Sequence, residues 1–133
     1  MNAEAKVLRP SELPVLDRGG GARTTRLVSR ACGSTALLNG ITTLDGGAAI
    51  PLHLHDCEES VLVLEGHAIA EIGGARHEVG PDDTTWVPAG VPHRFLNASD
   101  AEPLRIFWTY ASVAATRTLV ATGETRTIDH EHA

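Results

Sequence analysis

Lysine is nearly missing from this sequence: of 11 basic side chains only Lys6 is a lysine, which all but excludes Schiff-base chemistry. Cysteine is equally scarce. Cys32 and Cys57 are the full complement, with no CxxC spacing and no disulfide framework, so two reduced thiols are predicted. No apolar run approaches the roughly 18 residues that a membrane span needs, and residues 1–30 hold no signal-peptide core. A cytoplasmic protein with no membrane partner is the expectation. The formal net charge of −6 lacks the basic face on which phosphate binding rests, which argues against a nucleic-acid partner. Gly19-Gly20-Gly21 is not followed by the Lys-Ser/Thr of a phosphate loop, so it reads as a flexible turn.

What remains is a soluble globule of 133 residues, 42% hydrophobic and 21% charged. That length fits one domain able to bury about two thirds of its unfolded surface. Residues 1–22 mix charge, Pro10, Pro14 and the triple glycine, and read as an extended N-terminal arm. From there to residue 133 the chain breaks into short segments rich in β-branched residues, at 23–30, 34–44, 49–55, 60–64, 67–72, 84–87, 94–97, 104–110, 116–120 and 125–128. Gly73-Gly74 and Thr122-Gly123 mark hairpin turns. Only Ala111–Ala115 has helical flavour. Strands at this spacing predict an all-β sandwich or barrel.

The histidines carry the functional signal. His53 and His55 are two apart, which in a strand places both side chains on one face. Glu59 follows a short turn, and His93 comes directly after the rigid Pro88-Ala89-Gly90-Val91-Pro92 segment. Three imidazoles and a carboxylate delivered from neighbouring strands can surround one divalent ion. Such a donor set suits Fe, Mn, Ni, Cu or Zn and not calcium or magnesium, which take oxygen ligands.

Gly47-x5-His53-x-His55-x3-Glu59-x6-Gly66 resembles the first cupin motif at every position, over residues 47–66. Residues 82–97 resemble the second motif, with Pro88, Gly90, His93 and Asn97 in place. Asp82 stands where the family has glycine, and the turn is expected to survive with a changed shape. The resemblance implies a double-stranded β-helix, the cupin jelly-roll barrel, spanning residues 23–133. It also implies a single divalent transition metal held by His53, His55, Glu59 and His93. Glu58 is an alternative carboxylate, and the family spacing selects Glu59. His130-x-His132 repeats the HxH pattern in a terminal tail and is not taken as a ligand pair. His67 and His77 are expected at the surface. Cys57 reads as a small half-buried turn residue.

Phe95 shares the face of His93 and should stand near the metal. In the strand 104–110, Arg105 and Phe107 are expected to point into the barrel mouth as substrate contacts, Arg105 as a clamp for an anionic group unless a protein acid pairs with it. Trp86 is expected to pack. The N-terminal arm and the last hairpin are natural pieces to pair with a second copy, so a homodimer is predicted. Similar single-barrel proteins include dioxygenases, isomerases, cyclases and lyases. The expected function is metal-dependent chemistry on a small oxygen-rich or anionic molecule; the alternative is a non-catalytic binding or sensing module on the same barrel. No catalytic acid or base is assigned.

Overall fold

A computed structural model describes residues 4–128. His130 and His132 therefore lie outside the described residues. Two antiparallel sheets of six strands face one another. The first contains, in spatial order, β1 (Leu16–Gly19), β2 (Ala22–Arg26), β3 (Leu38–Leu44), β10 (Leu104–Tyr110), β5 (Glu59–Glu65) and β8 (Thr84–Val87). The second runs β12 (Thr125–Thr127), β11 (Thr116–Leu119), β4 (His53–His55), β9 (His93–Asn97), β6 (Ala68–Ile72) and β7 (Ala75–Val79). This is the jelly-roll barrel expected from the motifs. Among the described residues no helix is long and apolar enough to cross a membrane.

The barrel closes on a core set by alternation. In β3 and β10 every second residue is buried, and Leu38, Leu44, Leu104 and Ile106 from these strands are at most 2% exposed. Val61 and Val63 of β5, Ala70 of β6 and Phe95 of β9 meet them. A period-two pattern can bury one face of a strand only if its partners present the same parity, and the continuous ladders on both sides of β10 provide this.

Several elements depart from the expected segments. The last part of the expected arm is strand β1, which folds back on β2 as a hairpin through glycines with positive φ. The segment 27–37 contains a short 3-10 turn at Arg30–Cys32, begun by Ser29, whose side chain accepts from the Ala31 amide. Ala111–Ala115 forms turns and no helix. Strand β7, polar and mostly exposed, pairs with β6 through the Gly73-Gly74 turn.

The two motif frames work as clamps. Gly66 (φ +89) lies so close to Pro103 that a Cβ there would stand 2.5 Å from its carbonyl oxygen. Asp82, in the place of the family glycine, is left-handed at φ +74, and its amide donates to Val63 O. The turn keeps the left-handed geometry with an aspartate. Asn97 Nδ2 lies within hydrogen-bonding distance of the carbonyls of Leu44, Asp45 and Glu102 at 2.8–3.2 Å, while its Oδ1 accepts from the Ser99 amide. Gly90 donates its amide to His55 O, which holds the Pro-x-Gly turn beside β4 and delivers β9 alongside it.

Candidate metal centre

His53 on β4 and His93 on β9 are cross-strand partners, and the period of two brings His55 to the same face. All three are at most 5% exposed. Their ring centroids stand 4.5 to 5.0 Å apart, and one ligand-type atom from each lies within 4.8 Å of the others. Glu59, at the start of β5 on the opposite sheet, completes the group: its Oε1 is 2.9 Å from His93 Nε2 and its Oε2 is 3.7 Å from His55 Nε2.

The rings are oriented by backbone. Nδ1 of His53 donates to Pro51 O at 2.6 Å, Nδ1 of His55 to Thr116 O at 2.9 Å, and Nδ1 of His93 to Val91 O at 2.9 Å. Each of these bonds places a proton on Nδ1 and turns Nε2 toward the other rings. Metal-binding histidines commonly have this second contact, because it fixes tautomer and orientation. His55 Nε2 is buried and has no hydrogen-bond partner among the described residues, although an unmet buried acceptor is costly. These atoms fit a divalent cation.

Charge is distributed unevenly. Burial, reinforced by the neighbouring His93 and His55, pushes His53 down to about 3. Burial also lowers His55, with Glu59 opposing. Burial would lower His93 too, but the hydrogen bond and charge of Glu59 win and raise it. For Glu59, burial is overcome by the His93 hydrogen bond and the nearby imidazoles, which hold the carboxyl below its usual range.

Glu59 is also held from the far side. Tyr110, its register partner on β10, is buried beside that carboxylate, and burial together with the Glu59 charge pushes the phenol well above its ordinary range. Its ring meets His55 edge-on at 4.5 Å between centroids. Glu58, by contrast, is exposed and accepts from Trp86 Nε1 at 2.8 Å.

His53, Glu59 and Tyr110 line a cavity of about 350 Å³, otherwise walled mainly by apolar groups such as Phe95, Val61, Ile106 and Trp108. Phe95 thus stands on the face expected of it. Arg105 and Phe107 do not. In β10 the buried set is Leu104, Ile106, Trp108 and Tyr110. Arg105 lies on the outer face, 39% exposed at its side chain, with Nη1 3.8 Å from Glu65. The more apolar alternation took the interior, as burial energetics requires. Trp86 is likewise 63% exposed on the outer face and not packed inside. His67 and His77 are at the surface, and Cys57 is half-buried, its thiol pushed up by burial.

The arginines that line the cavity are Arg18 and Arg117, which also border a shallower depression beside Arg126. Neither was legible as a site residue. Arg117 becomes one because β11 places it opposite His55, and Arg18 because the β1–β2 hairpin folds over the opening.

Comparison with known proteins agrees with this geometry. The family model described as "Cupin domain" matches residues 40–110. The chain is 32% identical over 95 residues to the polyketide synthase CurC of Streptomyces cyaneus, covering 71% of this chain and 61% of that protein. It is 40% identical over 65 residues to quercetin 2,3-dioxygenase of Bacillus subtilis, covering 47% of this chain and 19% of the dioxygenase. The chain thus spans less than two thirds of either relative. Among solved structures, the polyketide cyclase RemF of Streptomyces resistomycificus superposes with a TM-score of 0.74 at 19% identity, covering 94% of this chain and 86% of that one.

Proposed function

This chain belongs to the cupin family, and on that premise we propose that it is a metal-dependent enzyme acting on a small, oxygen-bearing molecule bound in the barrel. His53, His55, Glu59 and His93 hold one divalent transition ion. The observation that carries this reading is the convergence of three buried imidazoles, each fixed through Nδ1 to a backbone carbonyl, on a buried carboxylate at the cavity wall. When bound, such an ion supplies Lewis acidity for an enolate or a platform for oxygen chemistry.

The protein's own residues do the rest. Tyr110 faces Glu59 across the ladder with its phenol held well above its ordinary range by burial, so it acts as a neutral flank to that carboxylate and not as a base. Phe95, Ile106 and Trp108 exclude water from the reacting end, and Arg18 with Arg117 favours an anionic oxygen near the opening. The strands β1 and β12 are sheet edges and suit pairing with a second copy, giving a homodimer.

The test is elemental analysis of protein produced anaerobically in metal-defined medium, followed by oxygen-electrode and product assays on enolisable phenolic ketones. One ion per chain, lost in His53→Ala and His93→Ala with the fold retained, is the expected result. Unchanged metal content in both variants would remove the ligand assignment. Turnover without oxygen uptake selects the redox-neutral class. Tight binding with no turnover for any metal would favour the binding or sensing module.

A further inference from the structure

The cavity contains a polar device that the metal cluster does not use. Trp108 Nε1 donates to Thr42 Oγ1 at 2.8 Å, and Thr42 Oγ1 lies 2.9 Å from Thr24 Oγ1. Both threonines line the cavity and are buried, 3% exposed for Thr24 and 7% for Thr42. An indole N–H can only donate, whereas each hydroxyl brings one hydrogen and can accept. Three hydrogens therefore serve two contacts. Whichever threonine donates to the other, one hydroxyl hydrogen is left over. Among the described residues neither side chain makes another hydrogen bond. In an apolar wall, an unmet donor of this kind is costly unless a ligand atom accepts from it.

Its position is defined by register. Thr42 stands opposite Ile106 on β10, and Thr24 stands opposite Thr42. Tyr110, at the metal end, is four residues further along the same strand, about 13 Å at roughly 3.3 Å per residue. Ile106 and Trp108 form the wall between them. An apolar slot with one polar anchor at each end fixes both the length and the orientation of its ligand.

We propose that Thr24 and Thr42, oriented by Trp108, form a hydrogen-bond donor site for a carbonyl-type oxygen at the far end of an elongated, flat, largely apolar ligand whose other end carries the oxygen that faces the histidine cluster. This rests on the reading that the cavity is the substrate site. It adds a specificity requirement: an acceptor atom remote from the reacting end. Trp108 is a positioning residue, and Thr24 and Thr42 are the recognising groups.

The test uses the full chain loaded with zinc and two fluorescent probes, 6-acetyl-2-naphthol and 6-ethyl-2-naphthol, which differ in the remote carbonyl. The acetyl compound should bind about five- to tenfold tighter, the worth of one such hydrogen bond. The double variant Thr24→Val with Thr42→Val should bring that ratio close to one, leaving zinc content unchanged, because either hydroxyl alone still offers a free hydrogen. Thr24→Ser with Thr42→Ser, which keeps both hydroxyls, should retain it. In the unmodified protein, the indole Nε1–H resonance of Trp108 should move with the acetyl probe and not with the ethyl probe, a readout independent of whether the valine variants fold. Equal binding of both probes to the zinc-loaded chain overturns the donor site alone, as does a preference that survives both valine substitutions. Binding of neither probe to a chain that holds zinc overturns it together with the substrate-site reading, and a chain that takes up no zinc overturns the metal reading first.

Discussion

Tyr110 stands directly across from Glu59 in the antiparallel ladder of β10 and β5, its buried phenol facing that carboxylate's charge. The consequence is a buried acid bonded to His93 Nε2 at 2.9 Å and flanked across the ladder by the Tyr110 phenol. Neither contact can relax into water, since all three side chains are buried.

Removal of the phenol should therefore be felt at the metal and not in the fold. Tyr110→Phe keeps the ring against His55 but removes the hydroxyl that flanks the carboxylate. Outer contacts of this type are worth about 10- to 100-fold in metal affinity, and a weakening of about tenfold is expected. Competition titration with a chromogenic chelator reads it. An affinity equal to that of the unsubstituted protein would show that Tyr110 merely packs.

The two adjacent glutamates should separate cleanly. Glu59→Gln replaces a buried anion by an amide, and retention of metal should fall sharply while the His cluster stays in place. Glu58→Gln alters an exposed carboxylate bonded to the Trp86 indole, so metal content should not change and stability should shift by less than about 0.5 kcal/mol. Metal analysis of the two purified variants side by side checks the assignment. A reversal, with loss only in Glu58→Gln, would move the ligand to the neighbouring residue.

The side-chain cluster was legible in sequence because His53, His55 and Glu59 fall within one short stretch and His93 follows a rigid turn. Period two and a fixed turn are local facts. Tyr110, Thr24, Thr42, Arg18 and Arg117 were not legible, and the reason is physical: each enters the cavity through a strand register, which depends on pairing between distant segments. Strand 104–110 shows the limit most directly. Its alternation was plain, but which set faced inward depended on β5 and β3, and an expectation that favoured Arg105 placed the wrong set inside. The more apolar alternation, Ile106 with Trp108 and Tyr110, would have been the better guide. Strand β1 was missed because Leu16–Gly19 is too short and mixed to register as a strand without β2 beside it.

Asp82 offers a test of strain at the second motif. It is the one non-glycine residue with positive φ among those described, where an L side chain pays a conformational cost that glycine does not. Asp82→Gly removes that cost but adds chain entropy to the unfolded state. A net gain of about 0.5 kcal/mol is expected, whereas Asp82→Val should lose about 1–3 kcal/mol because a β-branched residue tolerates this region poorly. Urea midpoints at constant slope measure both. Equal midpoints for all three residues would mean that the backbone relaxes out of the left-handed turn.

Gly40 tests the wall that supports the donor site. It is the register partner of Trp108 across β3 and β10, and a Cβ at this position would stand 2.6 Å from the indole Cζ2 and 2.6 Å from the carbonyl oxygen of Thr25. The carbonyl belongs to the β2–β3 ladder and cannot give way, so the indole must move. In Gly40→Ala the Trp108–Thr42 bond should lengthen, overpacking should lower stability by about 1–3 kcal/mol, and tryptophan emission should shift to the red as the ring leaves its buried seat. The remote-carbonyl preference should fall with it, even though Gly40 contributes no polar side-chain atom of its own. An alanine variant with native melting temperature, native emission and an intact preference would show that the two strands can part here, and that Trp108 is not what orients Thr42.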